Sequence, residues 1–326
     1  MTDTTTPAPI GLDEAASLAT QCLDAVDVAL VGRRASMELV LAAVLARGHV
    51  LLEDLPGLGK TLAARSLARA LGLEFTRAQF TPDLLPSDLT GSFVYDRNTS
   101  TFGFRKGPVF TGLLLADEIN RTPPKTQAAL LEAMQEGQVS VEGETFALPR
   151  PFHVIATANP IEHEGTYRLP EAQLDRFLLR LSFGLPEAED EVRMVARHLA
   201  GGDHVPEVPT VLDAPRLLAL QAAVDSVHVS DGIQRYAVEL VRATRHHDAT
   251  LVGASPRGSI ALVSCGRALA LLRGRDHVVP EDLKALAVPA LAHRLTLRPE
   301  LWLGDVTASR VVEEVLRTVP VPDARR

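Results

Sequence analysis

The chain has 326 residues and carries 33 Lys and Arg against 41 Asp and Glu, which gives a net charge of −8. This length predicts two domains, and a hydrophobic fraction of 46% excludes wholesale disorder. The negative charge and an aromatic content of 4% argue against a protein that coats nucleic acid. Cys22 and Cys265 are too far apart in sequence for a zinc motif or a disulfide framework.

The amino-terminal residues predict a disordered tail over residues 1–11. They lack the basic and apolar regions of a signal peptide. No stretch approaches the roughly 18 consecutive apolar residues of a membrane helix. We therefore expect a cytoplasmic protein that does not insert into membranes.

Residues 12–185 alternate short apolar runs with helical patterns. This alternation predicts the α/β class, with a mostly parallel sheet between helices. The predicted strands are His49–Glu53, Glu74–Gln79, Gly112–Asp117, Phe152–Ala158 and Leu178–Phe183. The predicted helices are Ser36–Arg47, Lys60–Leu71, Pro124–Glu136 and Glu171–Arg176.

Residues 186–326 show helical patterns and no strand signal. We predict a second, all-helical domain there, and place the boundary near residue 185. Its predicted helices are Glu187–Leu199, Ala214–Val227, Asp231–His246, Ser255–Leu272, Pro280–Ala292 and Ala308–Thr318. Ser255 is expected to cap its helix, with Pro256 at the first helical position and Gly274 at the end.

A glycine-rich loop follows the first predicted strand. It ends in Gly59-Lys60-Thr61, like the phosphate-loop pattern G-x-x-x-x-G-K-[ST], although Asp54 stands where that pattern has its first glycine. In such a loop, backbone N–H groups and the helix N-terminus bind phosphate, the Lys binds the β- and γ-phosphates, and the Thr hydroxyl ligates Mg²⁺. Gly57 adds a second flexible position. An ordinary strand–turn–helix is the competing interpretation.

Two further predicted strands end in polar residues. The strand Gly112–Asp117 leads into Glu118, and the strand Phe152–Ala158 leads into Asn159-Pro160. Strands of open α/β sheets deliver their carboxyl ends to the ligand crevice. Asp117 is expected to hold Mg²⁺ directly or through water, Glu118 to deprotonate the attacking water, and Asn159 to hold that water in line. Taken alone, each pair is equally typical of a helix start or a turn.

Five motifs in this order resemble the MoxR family of AAA+ ATPases, over roughly Leu30 to Leu295. They are Gly57–Thr61, Leu113–Asn120, Ala156–Pro160, Leu169–Phe177 and Gly253–Arg257. The resemblance implies a P-loop AAA+ core over residues 12–185, followed by a smaller helical lid over residues 186–326. It also implies Mg²⁺-dependent ATP hydrolysis.

The resemblance assigns roles that spacing alone leaves open. Asn159 matches sensor 1, Arg176 matches the arginine finger that reaches a neighbouring subunit, and Arg257 matches sensor 2, acting in cis or in trans. Without the family context, an ion pair of Arg176 with Asp175 or Glu171 is the alternative. Together the loop and the resemblance predict that ATP is bound by Val31, Gly32, Pro56, Gly57, Leu58, Gly59, Lys60, Thr61 and Leu62, and Mg²⁺ by Thr61 and Asp117.

Residue chemistry supports a ligand role for Arg257 independently. It lies in the first turn of its predicted helix, where a cation gains nothing from the helix dipole. An anion outside that helix is therefore expected to compensate its charge.

Two insertions also match the family. Residues 79–91 interrupt the second helix and lead into an aromatic-rich stretch, residues 92–110, which either packs on its own core or faces a partner. Gln138–Leu148 predicts a hairpin that matches the pre-sensor-1 hairpin. Its acidic tip, Glu142-Gly143-Glu144, would repel nucleic acid phosphates.

The resemblance implies a homo-oligomer, a hexameric ring, with a chaperone-like role and a partner that carries a von Willebrand factor A domain. Alternatives are a magnesium-chelatase-like ATPase subunit, a nucleic-acid-linked motor, a small-molecule kinase and a non-hydrolysing scaffold. The histidines in Glu162-His163-Glu164 and His246-His247 are not expected to bind metal. The adjacent pair on a helix points to different faces, and a loop histidine between two carboxylates is usually solvated.

Overall fold

The computed structural model describes residues 9–98, 100–160, 167, 169–201, 205–301 and 304–322. Most of the tail predicted over residues 1–11, and the Glu162–Glu164 segment, lie outside the described residues. Among the described residues, no helix is long and apolar enough to cross a membrane.

Helices and short strands alternate along the first half of the chain. The strands are β1 (Val50–Glu53), β2 (Phe75–Gln79), β3 (Gly91–Asp96), β4 (Thr101–Lys106), β5 (Leu113–Asp117), β6 (Gln138–Val141), β7 (Glu144–Ala147), β8 (His153–Ala158), β9 (Leu179–Leu181), β10 (Thr250–Val252) and β11 (Thr296–Leu297). The α-helices are α1 (Leu12–Ala29), α2 (Arg34–Leu45), α3 (Lys60–Ala70), α4 (Pro86–Thr90), α5 (Pro124–Glu136), α6 (Glu171–Leu174), α7 (Ala188–Gly201), α8 (Ala214–Asp225), α9 (Asp231–His246), α10 (Pro256–Leu272), α11 (Pro280–Leu291) and α12 (Ala308–Thr318).

Five strands form the central parallel sheet of the described chain, in the order β2-β5-β8-β1-β9. All five predicted strands are present, with ends that differ by at most two residues. Alternate side chains bury on opposite faces, as the pleat requires. Val50 and Leu52 pack with α1, α2 and α3, whereas Leu51 packs with α5 on the other face. The predicted α/β core is confirmed.

Two helices were not predicted: the short α4, which lies within the insertion, and α1. α1 packs against α3 and α10, burying Ala15, Ala19, Cys22 and Val26. The spacing of these residues is helical, but the small alanine side chains give a weak apolar signal. Consequently Val31 and Gly32 lie between α1 and α2, and not ahead of the first helix as expected.

The lid is mostly helical, as predicted, and α10 has its predicted ends. The Ser255 hydroxyl accepts a hydrogen bond from the Arg257 N–H at 3.2 Å, and Gly274 adopts a left-handed φ of 68°. One difference is an antiparallel pair formed by β10 and β11. These strands of three and two residues are too short for a sequence pattern. The lid helices α8 and α10 pack on α1 and α2, so one apolar cluster joins both halves of the chain.

The two insertions form antiparallel hairpins, β3–β4 and β6–β7. Part of the aromatic stretch packs within the protein, as one of the two interpretations predicts, and a partner for the rest stays a prediction. Phe104 stacks on Phe146 of the second hairpin, with ring centroids 3.9 Å apart. Tyr95 and Phe102 pair at the tip of the first hairpin but remain 49% and 70% exposed.

Candidate functional site

The carboxyl ends of three neighbouring strands converge on one crevice. β8 lies between β1 and β5, so the residues after each strand become neighbours. Asp54 follows β1, Asn159 follows β8, and Glu118 follows β5. The Asp54 N–H donates to Ala158 O at 3.2 Å, which fixes the start of the phosphate loop against β8. The structure thus brings together the side chains that the sequence predicted here.

The phosphate loop has the backbone that its glycines allow. Gly57 and Gly59 have φ values of 83° and 82°, in the left-handed region where other residues are strained. Lys60 begins α3, and its Nζ donates to Asp54 O at 2.6 Å. Burial lowers the pKa of Lys60, and the charges of Asp54, Asp117 and Glu118 oppose that shift. The Lys60 ammonium therefore lies within the field of the acidic pair.

The acidic pair is oriented by Thr157, a residue of β8 to which no role was assigned from sequence. The Thr157 hydroxyl donates to Asp117 Oδ1 at 2.6 Å and accepts from the Glu118 N–H at 2.8 Å. Glu118 has a φ of 60°, a left-handed conformation that is uncommon for a non-glycine residue. This turn ends the strand at Asp117, so the side chains of Asp117 and Glu118 point in different directions and their carboxylates are separated.

Cations and an amide from nearby elements hold the two carboxylates. Arg77 in β2 donates to Asp117 Oδ2 through Nε at 2.9 Å and Nη2 at 2.6 Å. Glu118 Oε2 accepts from Gln79 Nε2 at 2.7 Å and from Arg121 Nη1 at 3.0 Å. No local pattern identifies these partners, since they come from a separate strand and a short 3₁₀ turn.

A mostly apolar cavity of about 300 Å³ adjoins the phosphate loop. Among its lining residues are five of the predicted ATP contacts, namely Val31, Gly57, Leu58, Gly59 and Leu62. Gly32 lies beside it, and a Cβ there would come within 1.9 Å of Asp190 Oδ2. Pro56, Lys60 and Thr61 do not line this cavity.

Helix α7 covers the cavity, a contact that the sequence did not reveal. Met194, Arg197 and His198 line it from α7, and Arg197 Nη1 donates to Ala29 O at 2.8 Å. Small-molecule sites are typically apolar clefts with a few polar groups, so this cavity beside the phosphate loop is a candidate ligand site.

The other two predicted arginines lie elsewhere. Arg176 precedes β9, which runs parallel to β1 from the pairing of Leu179 with Val50. It therefore lies at the amino end of the sheet, and β1, at about 3.3 Å per residue, separates it from the phosphate loop by roughly 13 Å. Among the described residues, neither Arg176 nor Arg257 lines the cavity beside that loop.

Asp175, the residue before Arg176, contacts three residues of the lid. Its Oδ1 accepts from Arg294 Nε at 2.7 Å, and its Oδ2 lies 3.3 Å from the Ser255 hydroxyl and 3.9 Å from Arg257 Nη1. The expected anion near Arg257 is thus at least partly supplied by this chain. The alternative ion pair of Arg176 with Asp175 is not among the described contacts.

Arg294 fixes the segment that carries Arg176. Its side chain is 3% exposed and also donates to the carbonyl groups of Asp175, Phe177 and Leu178. Burial lowers the pKa of Arg294, whereas the Asp175 charge raises it. This contact joins residues 119 positions apart, so no local pattern could predict it.

Comparison with known proteins matches both halves of the chain. Residues 49–179 match the model of the ATPase family associated with various cellular activities (AAA), and residues 242–315 match that of the AAA lid domain. YeaC of Bacillus subtilis (strain 168) is 49% identical over 91% of this chain and 92% of its own length. Chaperone MoxR1 of Mycobacterium tuberculosis is 43% identical over 90% of this chain and 79% of its own.

A solved structure matches the whole fold. The crystal structure of a protein from Cytophaga hutchinsonii superimposes with a TM-score of 0.88 at 38% identity, covering 95% of this chain and 96% of that one. A magnesium-chelatase subunit of Nicotiana tabacum is more distant, at 30% identity over 58% of this chain and 44% of its own length.

Proposed function

Because the chain belongs to the MoxR-type AAA+ ATPases, we propose that it hydrolyses ATP with Mg²⁺ at the carboxyl ends of β1, β8 and β5. The observation that carries this proposal is the convergence of Lys60, Asp117 and Glu118 near an apolar cavity of about 300 Å³, in which we place the adenine. A strand–turn–helix without a ligand would not need an ammonium and two carboxylates in one crevice.

The residues present fit Mg²⁺, which prefers oxygen ligands. The Thr61 hydroxyl and the Asp117 carboxylate would hold it. Asp117 Oδ1 accepts one hydrogen bond, from Thr157, and Oδ2 accepts two, both from Arg77. Because a carboxylate oxygen has two acceptor sites, Oδ1 keeps one for the ion. When bound, the ion neutralises phosphate charge and orients the phosphates.

The chain's own residues supply the remaining chemistry. Lys60 binds phosphate oxygens, and Glu118 accepts a proton from the attacking water. Asn159 orients that water. Arg121 and Gln79 keep the Glu118 carboxylate in one place, which limits the entropy lost in forming the reactive arrangement.

Arg176 and Arg257 act on a neighbouring subunit in this proposal. Arg176 follows Asp175 in sequence and Arg257 lies 3.9 Å from the Asp175 carboxylate, so both lie towards the amino end of the sheet, away from the phosphate loop of their own chain. A head-to-tail contact, repeated around a closed ring, would place them at the next subunit's crevice. This position favours the trans role of Arg257 over the cis role, and a hexamer is the ring size implied by the family.

The activity is tested by titrating the protein with MgATP and measuring phosphate release. We expect the wild-type protein to bind and hydrolyse ATP, and Lys60→Ala to lose both by more than about tenfold, since an ion-paired phosphate contact is removed. Lys125→Ala is a matched control, because Lys125 is an exposed residue of α5. Equal loss in both variants, or no hydrolysis by the wild type, would refute the proposal.

A chaperone-like role on partner proteins extends the proposal, in keeping with the name of the Mycobacterium tuberculosis relative. The family resemblance implies a partner with a von Willebrand factor A domain. The acidic tip of the β6–β7 hairpin, Glu142-Gly143-Glu144, argues against a nucleic acid client. The test is capture by a Glu118→Gln variant in MgATP, with Lys60→Ala as the nucleotide-free control; DNA-stimulated hydrolysis would favour a nucleic acid motor instead.

A further inference from the structure

Asp54 occupies the position at which the general phosphate-loop pattern has its first glycine. Its side chain is 5% exposed and turns away from the loop. Asp54 Oδ1 accepts from the Ser182 hydroxyl at 2.6 Å and from the Gly184 N–H at 3.2 Å, while Oδ2 accepts from the Phe183 N–H at 2.5 Å. All three donors belong to the connection between β9 and α7.

Arg33 binds the same connection from the side of the apolar cavity that adjoins the phosphate loop. Its Nη1 donates to Phe183 O at 2.6 Å and its Nη2 to Gly184 O at 2.8 Å. Arg33 as a whole residue is 6% exposed, and its guanidinium lies 5.9 Å from the centre of the Phe183 ring. A buried bidentate contact of this kind fixes both position and orientation.

One peptide unit is therefore held at both ends. The Phe183 carbonyl and the Gly184 N–H belong to the same planar group, and they bind Arg33 and Asp54 respectively. A cation at the oxygen and an anion at the nitrogen both favour one direction of this dipole. Rotation of the peptide would break both contacts at once. Gly184 has a φ of 66°, so glycine permits this conformation.

Each of the two side chains also belongs to a different part of the candidate nucleotide site. Asp54 begins the phosphate loop, and its carbonyl accepts from Lys60 Nζ at 2.6 Å. Lys60 has three N–H donors, so it can keep this bond while it binds phosphate. Arg33 lines the cavity next to Val31. Beyond Gly184, the chain enters α7, which covers the same cavity.

We propose that Asp54 and Arg33 are positioning residues that couple the occupancy of the phosphate loop to α7 and the lid through the Phe183–Gly184 peptide. This inference rests on the proposed ATPase function. It also explains the departure from the phosphate-loop pattern, because glycine at position 54 would leave two buried N–H groups without an acceptor.

The test combines kinetics with hydrogen exchange. Asp54→Asn keeps the shape of the side chain, but the NH₂ group of the new amide faces N–H groups that are themselves hydrogen-bond donors. Arg33→Lys keeps the charge and loses one of the two carbonyl contacts. For both variants we expect kcat to fall about tenfold while KM for ATP stays within about threefold, because binding groups are retained and coupling is lost.

Amide exchange of Phe183 and Gly184 reports the clamp directly. In the wild type we expect MgATP to slow exchange at these two amides; in both variants exchange should be faster and independent of nucleotide. The kcat of the double variant should lie within about twofold of the kcat of the more impaired single variant, because both substitutions act on one peptide. Asp225→Asn, at an exposed ion pair with Arg47, is the control and should change neither readout.

Several results would overturn the inference. One is a lower melting temperature with wild-type kcat and wild-type nucleotide-dependent exchange, which would give the clamp a structural role only. Another is a KM raised more than about tenfold at unchanged kcat. If the wild type does not hydrolyse ATP, the proposed function fails separately. In that case, amide exchange at Phe183 and Gly184 measured without nucleotide still decides whether Asp54 and Arg33 hold the peptide. If Asp54→Asn does not fold, Arg33→Lys is measured in its place.

Discussion

The two ends of the central sheet are built from the same strands but differ in charge. At the carboxyl end, Lys60 and Glu118 remain partly accessible, and with the buried Asp117 they hold opposite charges close together. At the amino end, His49 precedes β1 and His153 begins β8, and both are buried and hydrogen-bonded. Burial lowers the pKa of each histidine to about 4, so both imidazoles are neutral near pH 7.

The difference separates chemistry from stability. Partly accessible charges at the carboxyl end are available to a ligand, whereas the neutral histidines are buried and hydrogen-bonded to protein groups. Arg176 lies towards the end of the sheet that holds these histidines, away from the phosphate loop of its own chain. In the proposed function, the sheet binds a nucleotide at its carboxyl end and presents arginines to a neighbouring subunit at the other.

The largest expected effect concerns Arg176. Arg176→Ala should lower kcat by about 10³-fold, because an arginine finger stabilises charge in the transition state. The measurement is phosphate release at saturating MgATP. Raising the protein concentration should not restore the rate, since the missing group cannot be supplied by more of the same variant.

Mixing distinguishes a neighbour's arginine from one that acts within its own chain. Subunits with Arg176→Ala keep their phosphate loop, and subunits with Lys60→Ala keep their Arg176. If the finger acts in trans, mixed oligomers should regain part of the activity that neither variant has alone. No recovery in oligomers shown to contain both subunits would contradict this arrangement.

The second effect lies at the carboxyl end of the sheet. Glu118→Gln should lower kcat by about 10²-fold or more, the usual contribution of a general base, with MgATP affinity close to that of the wild type. Calorimetry and single-turnover hydrolysis measure the two quantities separately. Unchanged turnover would show that Glu118 does not accept the proton.

Much of the carboxyl end could be predicted from sequence, for a physical reason. Parallel strands place their carboxyl ends in one crevice, so Lys60, Asp117 and Asn159 needed only a correct strand assignment. The AAA+ resemblance of the motifs is confirmed by the relatives. The individual roles of these residues, and the boundary near residue 185, remain predictions.

What the sequence did not reveal depends on contacts between distant segments. Thr157 orients the acidic pair from within a buried strand, where a threonine is unremarkable. Arg294 reaches Asp175 across 119 positions, and α7 closes the cavity from beyond the last strand of the sheet. Such contacts follow from the packing of elements, which local periodicity does not encode.

The third prediction concerns the two buried histidines at the amino end of the sheet, His49 and His153. Because the pKa of the buried histidines is about 4 against 6.5 for the free side chain, the unfolded chain binds more protons between these values. Stability should therefore be complete above pH 6.5 and fall as the pH drops towards 4. At pH 5 the expected loss is about 2 kcal/mol for each histidine, or roughly thirtyfold in the unfolding equilibrium.

His153→Asn tests this origin. His153 Nδ1 lies 3.1 Å from Gly48 O, and an asparagine amide can donate in its place without titrating. Urea unfolding at pH 7 and pH 5 should show a pH-dependent loss that is smaller by about 2 kcal/mol than in the wild type. His246→Asn, at an exposed position of α9, should leave the loss unchanged; an equal reduction in both variants would contradict the assignment.

The smallest effect returns to the charged end and to Arg77. Its guanidinium is 49% exposed and pairs with Asp117 Oδ2, on the carboxylate that would hold Mg²⁺ in the proposed function. A partly exposed cation repels the ion only modestly, because solvent screens it. Arg77→Gln should therefore lower the Mg²⁺ concentration for half-maximal hydrolysis by about threefold at low salt, and the difference should shrink at high salt.

The direction of this change decides what Arg77 does. If it competes with Mg²⁺ for Asp117, its removal strengthens the apparent affinity for the ion and leaves kcat at saturating Mg²⁺ nearly unchanged. If it instead holds Asp117 in position, the half-maximal Mg²⁺ concentration rises and kcat falls. Arg47→Gln, at the exposed pair with Asp225, is the matched control. Only the first result supports the view that Arg77 balances the charge of Asp117 at the carboxyl end until a divalent cation binds there.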